Sequence, residues 1–274
     1  MTPVNRATCA HSTLTFSQRN QLGTRVPYET AIDAFLSTSG DRCPGRDGGI
    51  DWVVADAAAV YPEAEKVIRH VIFLRPDICV LVDEVKTTEP EPVELNFNCL
   101  GRLSRAGNLF ESTTDKNRLL IHSQSADDLD YSTNEWRTSV PDTPSYRLIV
   151  SRSREKRECA FLTALVAHPL GEASPVIESL ALEDGLGVRI RRGDEEVVVL
   201  VEQPAEATIS VAGVTTDARM AVTRQIGSVV TGAMMLDGTC LSVEGAGDLL
   251  SASEPGLAGG VLVDGDWQAS ELKV

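Results

Sequence analysis

Several side chains in this sequence are of types that do chemistry, and their spacing limits what that chemistry can be. Cys9 and His11 are two positions apart, so on an extended strand they share a face and offer two donors to a metal ion. A zinc site takes four ligands, or three and a water, so this pair can serve only with donors from another segment. Asp56 stands inside the apolar run VVADAAAVY, which ends at Tyr61. A carboxylate in such company is either held by local hydrogen bonds or turned toward a site. Arg69 and Arg75 carry the forked guanidinium that grips carboxylates through paired hydrogen bonds. Arg75 can instead anchor its own chain connection through Asp77 or Asp83. Tyr131 and Trp136 lie in a polar stretch, where their ring faces can receive the C–H surface of a flat ligand or cap the end of a layered fold. His70, His122 and His168 each sit beside apolar, strand-like residues, where a histidine is ordinarily a hydrogen-bonded core or edge residue.

The elements that position these groups read as β-strands. Short runs rich in Val, Ile and Leu recur along the 274 residues, bounded by Gly, Pro, Asp and Asn. Strands are predicted at His11–Phe16, Trp52–Ala58, Glu65–Leu74, Ile78–Thr87, Val93–Leu100, Asn108–Ser112, Arg118–Ser123, Tyr146–Arg152 and Cys159–Ala167. Further strands are predicted at Val176–Ala181, Gly187–Arg192, Glu195–Val201, Ala207–Val211, Ala218–Gln225, Val229–Leu236, Thr239–Val243, Leu249–Ser253 and Gly260–Val263. The stretch RHVIFLRPDICVLVDEV, residues 69–85, is the clearest. Its two apolar halves are nearly continuous instead of alternating, as in strands covered on both faces. Pro76 has no N–H for a ladder and belongs in the connection. Gln18–Asp51 and Asp127–Ser145 are predicted as long irregular segments, of the kind that often carry function. The expected fold is an all-β, large layered antiparallel β-sandwich. No linker divides the chain, so residues 1–274 are read as one continuous domain, with a softer seam near 170–175 before a smaller C-terminal β-layer.

Composition removes several functions. Net charge is −15, against the basic surface that nucleic-acid binding requires. The same charge opposes binding of a polyanion unless positive side chains are concentrated locally. No apolar run approaches the length that spans a bilayer, so no membrane partner is expected. The six cysteines form no CxxC pair, and a reduced state is the default for a chain of this size. The opening MTPVNRATCAHSTLTF lacks the apolar centre of a signal peptide. The expectation is a cytoplasmic chain, or a periplasmic or secreted one if the true N-terminus lies upstream of Met1.

Three stretches together resemble the C-terminal β-sandwich of the heparinase II/III-like polysaccharide lyases. The first is AHSTLTF at Ala10–Phe16, followed by Gln21. The second is WVVADAAAVYPEAEKVIRHVIFLRPDICVLVDEV at Trp52–Val85, and the third is the series of apolar strands after FLTAL at Phe161–Leu165. The resemblance covers most of the chain, and its force lies in the order and spacing of parts that are individually ordinary.

In that family the sandwich follows a helical (α/α) toroid, and the reaction is β-elimination on uronic-acid-containing polysaccharides. A base takes the proton at C5, an acid protonates the departing O4, and polar or cationic groups hold the carboxylate. The resemblance places most of the proton-transfer groups in the toroid. It therefore implies a chain that is inactive alone, that works with a toroid domain or subunit, and that meets an acidic polysaccharide or oligosaccharide. It equates His11 with a sandwich histidine that binds a structural metal, commonly zinc. The companion ligands are absent from these residues, so no cofactor is expected unless another segment supplies them. Asn98 stands where many relatives have a histidine, a departure from the family's active centre. With a uronate as ligand, Tyr131, Trp136 and Arg69 become the candidate substrate-binding residues, the aromatics for the sugar face and the arginine for its carboxylate. The alternative is a non-catalytic carbohydrate-binding or protein-interaction module.

Overall fold

The computed structural model describes residues 12–19, 31–37, 49–135, 145–152, 156–202, 208–263 and 266–272, with main chain alone at 31–37, 145, 152, 202, 263 and 270–272. These residues are overwhelmingly strand. They contain no α-helix, only a 3-10 turn at Ala58–Val60. The chain forms two compact units, one of Met1–Asp33, Val54–His70 and Leu81–Glu172, the other of Ala34–Val53, Val71–Val80 and Ala173–Val274.

A four-stranded antiparallel sheet lies in the first unit. It is built from β1 (Leu14–Phe16), β6 (Val93–Leu100), β11 (Ser145–Arg152) and β10 (Leu129–Glu135), in the order β1-β6-β11-β10. Register sets Leu14 beside Leu95 and Leu95 beside Val150, with Val150 beside Tyr131. Alternation then separates two faces. One carries Leu14, Phe16, Val93, Leu95, Phe97, Leu148 and Val150, each no more than 5 % exposed. The other carries Thr15, Glu94, Asn96 and Asn98.

An eight-stranded sheet has the order β2-β3-β4-β5-β12-β9-β8-β7. Its members are β2 (Ala31–Ser37), β3 (Ile50–Asp56), β4 (Ala64–Leu74), β5 (Ile78–Glu91), β7 (Arg102–Ala106), β8 (Leu109–Thr113), β9 (Asn117–Gln124) and β12 (Lys156–Pro169). β5 is interior to it, which explains its lack of alternation. Residues 81 to 85 of that strand are all buried, so both faces are covered. Among them are Asp83 and Glu84, which burial permits only because each meets a cation: Arg69 grips Asp83, and Lys66 reaches Glu84 at 2.5 Å.

The second unit holds a nine-stranded sheet. β13 (Val176–Ala181), β14 (Gly185–Arg192), β15 (Glu195–Glu202), β18 (Met220–Ile226), β19 (Val229–Val243), β17 (Val214–Thr216) and β16 (Ile209–Val211) follow in that spatial order. β20 (Gly247–Val263) pairs with β19, and β21 (Asp266–Leu272) with β20. Val198, Leu200, Ala221, Ala233, Met235 and Leu241 are at the centre of its core.

The structure amends the sequence reading at particular points. The two segments predicted as irregular contain β2 and β10, and β7, β17 and β21 also escaped the apolar pattern. The pairs of strands predicted on either side of 237–238 and 254–259 are single long strands, β19 and β20. Arg75 anchors to neither Asp77 nor Asp83. Its guanidinium takes Asp51 with contacts of 2.7 and 3.0 Å, while Asp77 is held by Arg192 and Asp83 by Arg69. An Asp two residues along its own turn is a poorer partner for a long side chain than one on the adjacent strand β3.

Candidate functional site

Three of the sequence candidates, Tyr61, Arg69 and Asn98, converge on one strand. β1 and the residues leading into it, Ser12 to Phe16, are gripped from several directions by polar side chains. Tyr61, 3 % exposed, donates its hydroxyl to the carbonyl of Leu14 at 2.9 Å and sets its ring edge-on to Phe16 with centroids 4.9 Å apart. Arg69 uses Nε and Nη2 on Asp83, at 2.6 and 3.1 Å, and turns Nη1 to the carbonyl of Ser12 at 3.2 Å. The main-chain N–H of Asn98 donates to the hydroxyl of Ser12 at 3.2 Å. Asn96 donates from Nδ2 to Thr13 and Thr15, and Thr15 donates in turn to Glu94 at 2.7 Å. Sequence reasoning missed Asn96 and Glu94. The signal was there: polar residues at alternate positions of an otherwise apolar strand mark a face that is not core.

This geometry orders a strand. Asp56 is occupied locally, its Oδ1 accepting the N–H of Ala58 at 2.8 Å to begin the 3-10 turn. Of the histidines, His70 lies 3.3 Å from Glu84 and His168 shares its Nδ1 with the carbonyl of Pro169 at 3.1 Å. Burial lowers the pKa of His122, so its ring is neutral at neutral pH. All three are 2 % exposed. Among the described residues no group of three or more His, Cys, Asp or Glu side chains could hold a metal ion. His11, with Cys9, lies outside the described residues, and so does Trp136.

Tyr131 is elsewhere, on the edge strand β10. Its ring lies 5.1 Å from Phe110 with a 42° tilt, and its hydroxyl is directed to the carbonyl of Ser123 at 3.3 Å. The guanidinium carbon of Arg105, from the edge strand β7, stands 4.6 Å over the Tyr131 ring and 5.2 Å over that of Phe110. Burial raises the Tyr131 pKa and the neighbouring Arg105 charge partly opposes that rise. The phenol is therefore neutral at ordinary pH, and it is braced on one face by a cation. Arg105 was not a sequence candidate, because it meets Tyr131 only through a side-chain contact between strands of two different sheets.

No family model matches the chain, and neither does any curated protein. Solved structures do. The heparan sulfate lyase HepC from Pedobacter heparinus superposes with a TM-score of 0.51 at 18% identity, over 72% of this chain and 31% of the lyase. A mutant of the same lyase gives 0.50 at 17%, with the same coverage. The chain has the fold of part of a heparan sulfate lyase. It spans about a third of the length of these lyases, 31% in each case. The heparinase likeness at this identity is one of architecture, and the layered antiparallel sheets predicted from the sequence are what it matches.

Proposed function

We propose that this chain is the β-sandwich part of a heparinase II/III-like polysaccharide lyase that cleaves uronic-acid-containing polysaccharides by β-elimination. In this reading the proton-transfer groups come from a helical toroid outside these 274 residues, either a further segment or a separate subunit. The observation that carries it is the superposition on a heparan sulfate lyase over 72% of the chain. A second supports the division of labour: the described histidines are all buried, and Tyr61 and Asp56 are committed to local hydrogen bonds. In β-elimination the C5 proton needs a base within hydrogen-bond reach, and the carboxylate needs charge stabilisation as the enolate-like intermediate forms. A buried, committed group offers neither. A zinc ion enters this reading only if His11 finds companion ligands in that further segment.

The test combines turnover and binding. The purified chain is incubated with heparan sulfate, alone and with the HepC lyase from which the matching part has been deleted, and ultraviolet absorbance of the unsaturated uronate is followed. The expected result is no turnover alone and turnover in the mixture. Turnover by the chain alone overturns the divided site. If neither preparation turns over and oligosaccharides bind, the chain is a carbohydrate-binding module, a reading favoured by the exposed Arg105 over Tyr131. If nothing binds, both readings fall.

A further inference from the structure

We infer that Arg105, seated on the rings of Tyr131 and Phe110, is a binding point for the carboxylate or sulfate of an acidic sugar. This deepens the saccharide reading above and rests on it. Three observations lead here. The first is orientation. Nε of Arg105 donates to the carbonyl of Gly107 at 2.6 Å, and the guanidinium carbon lies over both rings. Rotation of the fork is thereby limited, and Nη1 and Nη2 have no hydrogen-bond partner among the described residues. A guanidinium already held in place gives up less side-chain entropy when it takes a bidentate oxyanion.

The second is charge. GRLSRAGNLF, residues 101–110, carries two arginines and no acidic residue, a local +2 in a chain of net −15. The acidic neighbour in sequence to Tyr131 is Asp130, which alternation turns to the opposite face of β10. A polyanion repelled by most of the protein therefore meets an attractive strip along this edge.

The third is access. Arg102, Ser104, Arg105 and Ala106 are exposed on β7, the last strand of the eight-stranded sheet. Tyr131 is half-buried and directs its hydroxyl inward to Ser123. Its role is to support the cation, and the sugar's charged group meets the outer side of that cation. Sequence reading had placed Tyr131 against the sugar itself; in this arrangement the arginine stands between them.

Calorimetric titration of the whole chain tests this with a heparan sulfate oligosaccharide, its desulfated form and its carboxyl-reduced form. Arg105→Gln is expected to weaken binding roughly tenfold to a hundredfold, the range for loss of a charge-assisted hydrogen bond. Arg105→Lys keeps the charge but loses the fork and the stacking, and is expected to fall between. Lys86→Gln removes an equal charge elsewhere, next to Glu65 and Glu158, and is the control. The chemically modified ligand that loses affinity for wild type but not further for Arg105→Gln identifies the oxyanion. If wild type binds and Arg105→Gln binds equally, or no more weakly than Lys86→Gln, the arginine has no such role and the saccharide reading stands. If wild type binds none of the three oligosaccharides, that reading and this inference fail together.

Discussion

Arg224, on β18, donates a hydrogen bond of 2.6 Å to the main-chain carbonyl of Arg75, in the connection between β4 and β5. Its other terminal nitrogen meets Glu195 at 2.6 Å. Glu195 also accepts from Arg192, and Arg192 reaches back to Asp77 at 2.7 Å. A connection that looks self-contained in the sequence is thus clamped at both ends by one partly buried network within the second unit. The side chains of Arg224 and Glu195 are 5% and 10% exposed, so each needs the other's charge. Glu195→Gln takes the counter-charge from Arg224 and one of the two carboxylates from Arg192, which keeps Asp77, and is expected to cost about 5 kcal/mol. Arg224→Leu leaves Glu195 still paired with Arg192, and is expected to cost about 3 kcal/mol. Denaturant unfolding of both variants checks the order. Equal costs, or a cheaper Glu195→Gln, would show that the two arginines are held by something other than Glu195.

Arg69 and Asp83 make a second prediction. Asp83 has no exposed side-chain surface, and Arg69 gives it two hydrogen bonds. Arg69→Ala strands a buried carboxylate and is expected to cost about 3–5 kcal/mol, while the Arg69→Ala/Asp83→Ala double variant costs less than the sum of the single changes. Additive costs in this cycle would mean the pair is not coupled. The same contacts bear on Arg69 as a ligand-binding residue: a guanidinium already spent on Asp83 and on the carbonyl of Ser12 serves chiefly to fix the entry to β1.

Much of this fold was legible because burial dictates pattern. Val93–Leu100 and Val176–Ala181 are strands with the predicted boundaries, and Pro76 falls in the connection where its missing N–H does no harm. What was not legible has two physical causes. The first is exposure. β10, Leu129–Glu135, is a polar edge strand whose partner β11 supplies its order, so its own sequence carries little apolar signal. The second is non-local pairing. Asp237 and Gly238 read as a turn, yet β19 continues through them as a bulge: register shifts there, Asp237 adopts φ 53°, and the N–H groups of Thr239 and Cys240 turn to Asp217. The candidate site divides the same way. Tyr61 and Arg69 were visible as residues out of keeping with their runs. Arg105 became meaningful only when β7 and β10 came together.

The buried His122 gives a dependence on pH. Burial lowers its pKa below the ordinary imidazole value of about 6.5. Below that value the unfolded chain takes up a proton that the folded chain does not, so stability is intact above it and is lost as pH falls through the folded value. His122→Gln removes this term. The unfolding midpoint of wild type should therefore decline more steeply than that of His122→Gln between pH 7 and pH 5. Parallel pH profiles would show that His122 titrates alike in both states.

Cys99 behaves oppositely. It is 4 % exposed, and burial pushes its thiol up to about 11, a rise that a hydrogen bond with Ser112 partly offsets. The thiolate is the reactive form, so Cys99 in the folded chain should resist alkylation at neutral pH and react only as the protein unfolds. Between the ordinary thiol pKa and about 11 the unfolded chain gives up a proton that the folded chain keeps, and stability falls by about 2–3 kcal/mol as pH rises through that window. Cys99→Ala, whatever its cost at neutral pH, should lose less stability over the alkaline range than wild type does. Mass-resolved labelling at Cys99 faster than global unfolding would show instead that the strand pair β6 and β11 opens locally.

Gly101 ties the fold to the proposed binding edge. It joins β6 to β7 with φ at 96°, in the left-handed region, and a Cβ there would lie 2.2 Å from the carbonyl oxygen of Thr113. That oxygen belongs to main chain on the neighbouring strand β8, so it cannot swing aside as a flexible side chain would. Gly101→Ala therefore has to push β7 away from β8, and is expected to cost about 2–4 kcal/mol through backbone strain. The loss should be local. Hydrogen exchange should quicken in β7 and β8 while β14 and β15 keep wild-type protection. Arg105 sits three residues into β7, so displacement of the strand also moves its guanidinium off the two rings. If exchange in Gly101→Ala is unchanged at β7 and the variant is as stable as wild type, the close approach to Thr113 is not what holds this edge in place.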